Sequence, residues 1–222
     1  DTTLQIGQII PTGNKYGKSW LIGRSSRMES YRCHLVNSVK VNEPFVLLVM
    51  HIRLAQPQDV VEIFRLYTRV AQTGEYERRT DEVTTEYVED FLTASTQRGL
   101  CMVIDHPEGL SEIIGELHAY RPAIRQRNHV LRNLSLVIHP DFQGRKLGRT
   151  LLTIFLEEIA LHHSTIGKIE TVVSEDNARA LNLLTSLGFQ IEGRQEMNIR
   201  ASDGRYLADI ILGWQNPAFE FE

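Results

Sequence analysis

Cysteine is scarce in this chain: Cys33 and Cys101 are the only two in 222 residues. Two thiols cannot build a disulfide framework, so a reducing compartment, the cytoplasm, is the expected setting. Long apolar runs are missing as well. The longest, Phe45 to Met50, falls far short of the ~20 residues a membrane helix needs, so no membrane partner is expected. There is no basic excess, because 24 Lys and Arg stand against 28 Asp and Glu for a net charge of −4. With no aromatic residues interleaved with a basic stripe, a nucleic-acid partner is not expected either. Repeats, low-complexity tracts and Pro-rich linkers are missing, and no basic-then-apolar signal segment stands at the start. These absences exclude membrane, collagenous, disordered and disulfide-scaffold classes. What is present is 42% apolar and 23% charged residues, in a length that suits one large domain, or one domain plus an appendage, at ~150 residues per domain.

Periodicity divides the chain into residues 1–44 and 45–222. The first part is punctuated by Gly7, Gly13, Gly17 and Gly23 between short segments such as Leu4–Ile10 and Ser19–Ile22, with PTGNKYG as a turn. It reads as a small β-rich N-terminal extension. From Phe45 to Leu54 a strand is expected, then a helix opened by Pro57 with Val60, Ile63, Phe64, Tyr67 and Val70 on its buried face. A second helix from about Thr84 carries Tyr87, Val88, Phe91 and Leu92 on one stripe. Strands follow at Cys101–Ile104, Glu112–Tyr120 and His129–Ile138, the first two joined through HPEG. A long helix then turns Leu151, Leu152, Phe155, Leu156 and Ile159 inward. After strand Ile169–Ser174, Asp176 or Asn177 caps another helix that ends at Gly188. Phe189–Arg200 and Arg205–Trp214 flank SDG, a hairpin signal. Strands alternating with helices and closing on a hairpin make the class mixed α/β around one central sheet.

The chemically informative stretch is LSLVIHPDFQGRKLGRTLL, residues 134–152, where a strand runs through a Gly-containing loop into a helix. A helix start offers unpaired N–H groups and the positive end of the dipole, which together favour an anion. Small residues admit a bulky phosphate, and Arg145, Lys146 and Arg149 add positive charge there. From these local features two readings stay open: a phosphate site, and an ordinary strand–turn–helix with a solvated basic face.

Gln143-Gly144-Arg145-Lys146-Leu147-Gly148, preceded by His139-Pro140, resembles the pyrophosphate loop of the GNAT superfamily of acyl-CoA N-acyltransferases. Asn177, Ala180 and Leu187-Gly188-Phe189 match that family's second motif in type and spacing. The likeness covers about Phe45 to Trp214. It implies a mostly antiparallel, splayed sheet flanked by helices, and acetyl-CoA as acyl donor; no metal is expected, because no metal-ligand spacing accompanies the histidines. It further implies that Leu136, Val137 and Ile138 offer a strand edge to the pantetheine arm, while Gln143, Gly144, Arg145, Lys146, Leu147, Gly148 and Arg149, with Asn177, bind the remainder. Two positions depart from the pattern. Lys146 replaces the usual first glycine, so its side chain must turn from the cradle or pair with a phosphate. Leu184 replaces the tyrosine that usually protonates the leaving thiolate, and leucine cannot do this.

The implied reaction is direct attack of a primary amine on the acyl thioester. The amine must lose a proton, since an alkylammonium with a pKa near ~10 is not nucleophilic. A backbone N–H near Val137 or Ile138 is expected to meet the developing oxyanion. On strand 112–120, Glu116, His118 and Tyr120 share one face, with Glu116 the natural base and the other two auxiliary donors if that face lines the cleft. The same residues could equally decorate a solvent-facing strand. Asn133 stands where some members carry a carboxylate base, and Glu170 is a substitute of lower weight.

Other features read as ordinary structure. His162-His163 suits a helix end better than a metal, Cys101 suits a buried inert thiol, and Ser135 lacks a hydrolase elbow. The run Glu77–Glu82 reads as a solvated loop. Arg121, Arg125, Arg127 and Arg132 could welcome an anionic acceptor or form a solvated loop. The resemblance implies a small-molecule or peptide amine as the acceptor. Two alternatives accompany this reading: a non-catalytic acyl-CoA-binding or regulatory module, and a homodimerisation or partner-binding role for residues 1–44.

Overall fold

The structure, a computed structural model, describes residues 18–24, 30–37, 48–74, 76–201 and 203–220. In chain order the elements are β1 Lys18–Arg24, β2 Ser30–Asn37, β3 Leu48–Leu54, α1 Val60–Ala71, α2 Thr85–Arg98, β4 Gly99–Asp105 and β5 Ile113–Tyr120. They continue with β6 Val130–Ile138, α3 Leu147–His162, β7 Lys168–Ser174, α4 Ala178–Ser186, β8 Gln190–Arg200 and β9 Tyr206–Gln215. The strands form one sheet in the order β1-β2-β3-β4-β5-β6-β7-β9-β8. Every pairing is antiparallel except β6 with β7, whose connection runs through α3 as a parallel pair requires. The segments Leu4–Ile10 and PTGNKYG, and the first residues of the strand expected from Phe45, lie outside the described residues. Ser19–Ile22 falls within β1.

Local chemistry sets the helix boundaries. Pro57 opens a 3-10 turn, Pro57–Asp59, rather than α1 itself. The carboxylate of Asp59 accepts from the backbone N–H of Gln56 at 2.7 Å and from Arg53 at 2.7 and 2.9 Å, which ties the helix start to β3. The buried stripe of α1 is Ile63, Leu66, Tyr67, Val70 and Ala71, so Leu66 turns inward while Val60 and Phe64 lie only partly buried. Thr84 caps α2 by accepting from the N–H of Tyr87, and Asn177 rather than Asp176 caps α4 by accepting from Ala180.

The sheet separates two cores. On one face α3 and α4 bury Leu151, Leu152, Phe155, Leu156, Ile159 and Leu184 against Met102, Leu117 and Ile169. On the other, α1 and α2 cover Cys101, Val103 and Val137. Each such side chain contributes roughly 1.5–3 kcal/mol by leaving water, enough to fix which face each helix takes.

The central strand is irregular where it passes between the cores. From His118 to Tyr120, β5 advances two residues while its partners on β6 run from Ser135 to Arg132, so β6 holds one extra residue there. Asn133, at φ +54°, is the bulged residue. Beyond that point β6 and β7 part company. They pair only at Val130 with Lys168 and Leu131 with Ile169, after which β7 continues along β9 as far as Ser174.

Candidate functional site

The parting of β6 from β7 leaves one edge of β6 without a neighbouring strand among the described residues. Which backbone groups lie on that edge follows from register. His139 donates to the carbonyl of Ile114 at 2.8 Å, and antiparallel ladders bond alternate pairs, so Val137 and Ser135 also bond across to β5. The N–H groups of Leu136 and Ile138 therefore point into the gap. This corrects one expectation: the N–H of Val137 belongs to the ladder with Glu116, whereas that of Ile138 is open. The side chain of Val137 is buried under α1 and α2, while Leu136 and Ile138 lie against α3 and are only partly buried.

At the end of β6 the chain passes through the 3-10 turn Pro140–Phe142 into α3. Gly144 and Lys146 both adopt left-handed backbone, at φ +73° and +65°. A lysine accepts that conformation less readily than glycine. A side chain built on Gly144 would meet no atom within 4 Å, so space lies open beside it. One built on Gly148 would meet Leu136 at 3.4 Å, so that glycine serves close packing of α3 on β6. The first bond inside α3 runs from Thr150 to Lys146 at 3.0 Å, leaving the N–H groups of Leu147, Gly148 and Arg149 without partners in the helix.

The side chains of the loop are arranged differently from expectation. Arg145 donates to the carbonyl of Asp141 and lies over the Phe142 ring, and Arg149 donates to the hydroxyl of Ser186 on α4. Both are therefore held by protein partners instead of converging at the helix start. Gln143 bridges β6 and α4, donating to the carbonyl of Ile138 at 3.2 Å and accepting from Arg179 at 2.9 Å. Arg179 and Ser186 are not legible in the sequence, because contacts between helix faces leave no spacing signal.

On the α1/α2 face lies a buried polar cluster. Glu116 and His118 are buried beneath the helices, Tyr120 is half-buried, and none of the three decorates an open strand face. Glu116 accepts from the Tyr67 hydroxyl at 2.6 Å through one oxygen, and from the Cys101 thiol and Nδ1 of His118, both at 3.0 Å, through the other. The imidazole of His118 stacks on Phe91 with centroids 4.1 Å apart. Tyr67 also lies 3.3 Å from the hydroxyl of Ser135 on β6, and the Tyr76 hydroxyl meets that of Tyr87 at 3.2 Å. Burial first, and the Glu116 charge second, push the Tyr67 phenol and the Cys101 thiol well above their ordinary values. The apolar stripe of α1 masks Tyr67 in the sequence; a tyrosine in such a stripe needs a hydroxyl partner, and that is the signal the sequence offers.

Where the gap begins, Arg132 and Glu170 join β6 to β7 at 2.8 Å, and Lys168 adds Glu192 of β8. Glu170 is thus engaged by a guanidinium. The exposed bulge residue Asn133 carries no titratable group. Leu184 is buried in the α3/α4 core.

Comparison with known proteins agrees with this geometry. The acetyltransferase (GNAT) domain matches residues 50–190. The chain belongs to that family. A GNAT acetyltransferase of Streptococcus pneumoniae shares the fold at a TM-score of 0.66 and 23% identity, covering 75% of this chain and 99% of that one. YncA of Salmonella typhimurium, solved with its cofactor acetyl-CoA, gives 0.63 and 21%, covering 75% and 93%. The ribosomal-protein-S5-alanine acetyltransferase of Vibrio fischeri gives 0.63 and 17%, covering 82% and 100%. Among curated proteins, the UPF0157 protein YqkA of Bacillus subtilis strain 168 is 34% identical over 80 residues, 36% of this chain and 21% of that protein. The match therefore spans about a fifth of that relative. Among the described residues no helix is long and apolar enough to cross a membrane.

Proposed function

We propose that this chain is an N-acetyltransferase that moves an acetyl group from acetyl-CoA to a primary amine. The observation that carries the reading is the open edge of β6 leading directly to the start of α3. Amides of Leu136 and Ile138 suit the amide and carbonyl groups of a pantetheine arm. The unpaired N–H groups of Leu147, Gly148 and Arg149, with open space beside Gly144, suit a pyrophosphate. Bound there, acetyl-CoA supplies an activated acyl thioester. The chain's own residues do the rest: the N–H of Leu136 or Ile138 is positioned to steady negative charge on a carbonyl oxygen, and Glu116 is the carboxylate available to take the acceptor's proton. His118 holds one oxygen of Glu116 in place, and Tyr120 lines the half-buried rim.

The acceptor is a small-molecule or peptide amine met on the α1/α2 side, and residues 1–44 are an extension beyond the catalytic domain that can mediate self-association. Thiol release on a panel of primary amines, alongside calorimetric titration of acetyl-CoA, tests this. Turnover by the wild type, with binding weakened in a Gln143→Ala, Gly144→Val, Gly148→Val triple variant, is expected. Equally weak binding by both proteins would show the site is misplaced.

The buried Leu184 favours a second reading, a non-catalytic acyl-CoA-binding module, since no tyrosine there can protonate a thiolate. Tight acetyl-CoA binding without turnover on any amine would select it. A thiol with pKa near ~8.5 is nonetheless a tolerable leaving group unaided, so Leu184 does not by itself prevent catalysis.

A further inference from the structure

Glu116 has no solvent exposure, so no acceptor can touch it. The Tyr67 side chain that covers it is equally buried. Ser135, next along the cluster, is partly exposed and stands on β6 just past the bulge, on the face turned toward α1 and α2. The hydrogens along this line follow from the Tyr67–Glu116 contact, with Tyr76 as a second hydrogen-bond neighbour of Ser135. A tyrosine hydroxyl has a single proton, and Tyr67 gives it to Glu116 at 2.6 Å. A hydrogen bond across the 3.3 Å contact with Tyr67 is then one that Ser135 donates, in exchange with its contact to Tyr76. When Ser135 donates to Tyr67, both hydroxyls point their protons inward, toward the carboxylate.

Resting on the acetyltransferase reading, we infer that Glu116 acts on the acceptor through a two-hydroxyl relay, Ser135 then Tyr67, with no direct contact. An acceptor ammonium set against the partly exposed Ser135 gives its proton to the Ser135 oxygen. Ser135 passes its own proton to Tyr67, and Tyr67 passes its own to Glu116. The net change is one neutral amine and one protonated carboxyl, with both hydroxyls restored. Neither oxygen needs to hold a full charge for longer than the transfer. The high phenol pKa of Tyr67 keeps it protonated and able to donate throughout.

The groups facing Glu116 are few. Tyr67 comes from α1, Cys101 from β4 and His118 from β5, with Tyr76 and Tyr87 beyond Tyr67. The pair Arg53 and Asp59 lies behind Cys101. Cys101 and His118 occupy the second oxygen, leaving the Tyr67 side as the route outward. Ser135 and Tyr67 are thus positioning and relay groups, and Glu116 is the proton's destination.

A pH profile separates a relay from a merely structural cluster. With the best primary amine from the panel, kcat/KM would be measured for wild type, Tyr67→Phe and Ser135→Ala between pH 6.5 and a pH above the amine's own pKa. A cut relay costs about 10²-fold at the low end, in the range of general-base effects, and only a few-fold once the amine deprotonates itself. Unchanged acetyl-CoA affinity in Ser135→Ala, whose residue is only partly buried, guards against misfolding of the tyrosine variant. If both variants lose the same factor at every pH, the relay is wrong while the acetyltransferase reading stands. If the wild type turns over no amine, the reading falls and the relay with it.

Discussion

The two edges of β6 are built for different purposes. Toward β5 the strand is laddered through His139, Val137 and Ser135, and the side chains along that seam include the carboxylate and hydroxyl cluster. Toward β7 it keeps only two paired positions before the gap opens. The laddered edge fixes the strand in place. The open edge can then present N–H groups at fixed positions without losing stability, because neighbouring residues on the same strand hold them there. A central strand with one free edge is ordinarily a liability, and here the adjacent start of α3 points to a ligand as its partner.

The largest expected difference between the edges comes from proline. Val137→Pro deletes a ladder hydrogen bond and a buried side chain and should lower unfolding stability by about 3 kcal/mol or more. Leu136→Pro removes an N–H on the open edge and should cost clearly less in a urea titration. Equal losses would mean that the assignment of open and laddered groups is wrong. The loop that continues the open edge comes next. Gly144→Val places a β-branched residue at φ +73°, in the open space where the proposed pyrophosphate would lie, and should weaken acetyl-CoA binding by about tenfold, ~1.4 kcal/mol. Calorimetry checks this.

On the laddered side, Cys101 gives a pH signature. Its thiol is pushed up in the folded state, so above the ordinary value of 9.0 the unfolded chain releases a proton that the folded chain retains. Stability is fully present below that value and falls as pH rises through the window above it, by up to about 1.4 kcal/mol per pH unit. Cys101→Ala should flatten that slope in urea titrations at pH 8.5 and 9.5. The smallest effect belongs to the joint between the edges. Arg132→Gln removes a partly exposed ion pair with Glu170 and should change stability by less than about 1 kcal/mol, as read by thermal melting.

The sequence made some of this legible and hid the rest for identifiable reasons. The glycine loop opening into a helix, and a cap at Asp176 or Asn177, could be read because turn and capping chemistry is local; the structure puts the helix start at Leu147 and the cap at Asn177. The alternation that groups Glu116 with His118 was also visible, although which face they occupy depended on where α1 and α2 settle. The bulge at Asn133 was not visible, because an extra residue in a strand is defined by its partner's count. Register also decides that Leu136 and Ile138, and not Val137, lie on the open edge: a one-residue slip would exchange them. The arginines point to Asp141 and Ser186 for similar reasons, since their partners come from other turns and helices.

Amide hydrogen exchange resolved by NMR, with and without acetyl-CoA, tests the unequal edges most directly. The account predicts new protection at Leu136, Ile138, Leu147, Gly148 and Arg149 on adding acetyl-CoA, with Ser135 and Val137 already slow and little changed. Protection that rises at Ser135 and Val137 instead, or no change at any of the seven amides, would contradict it.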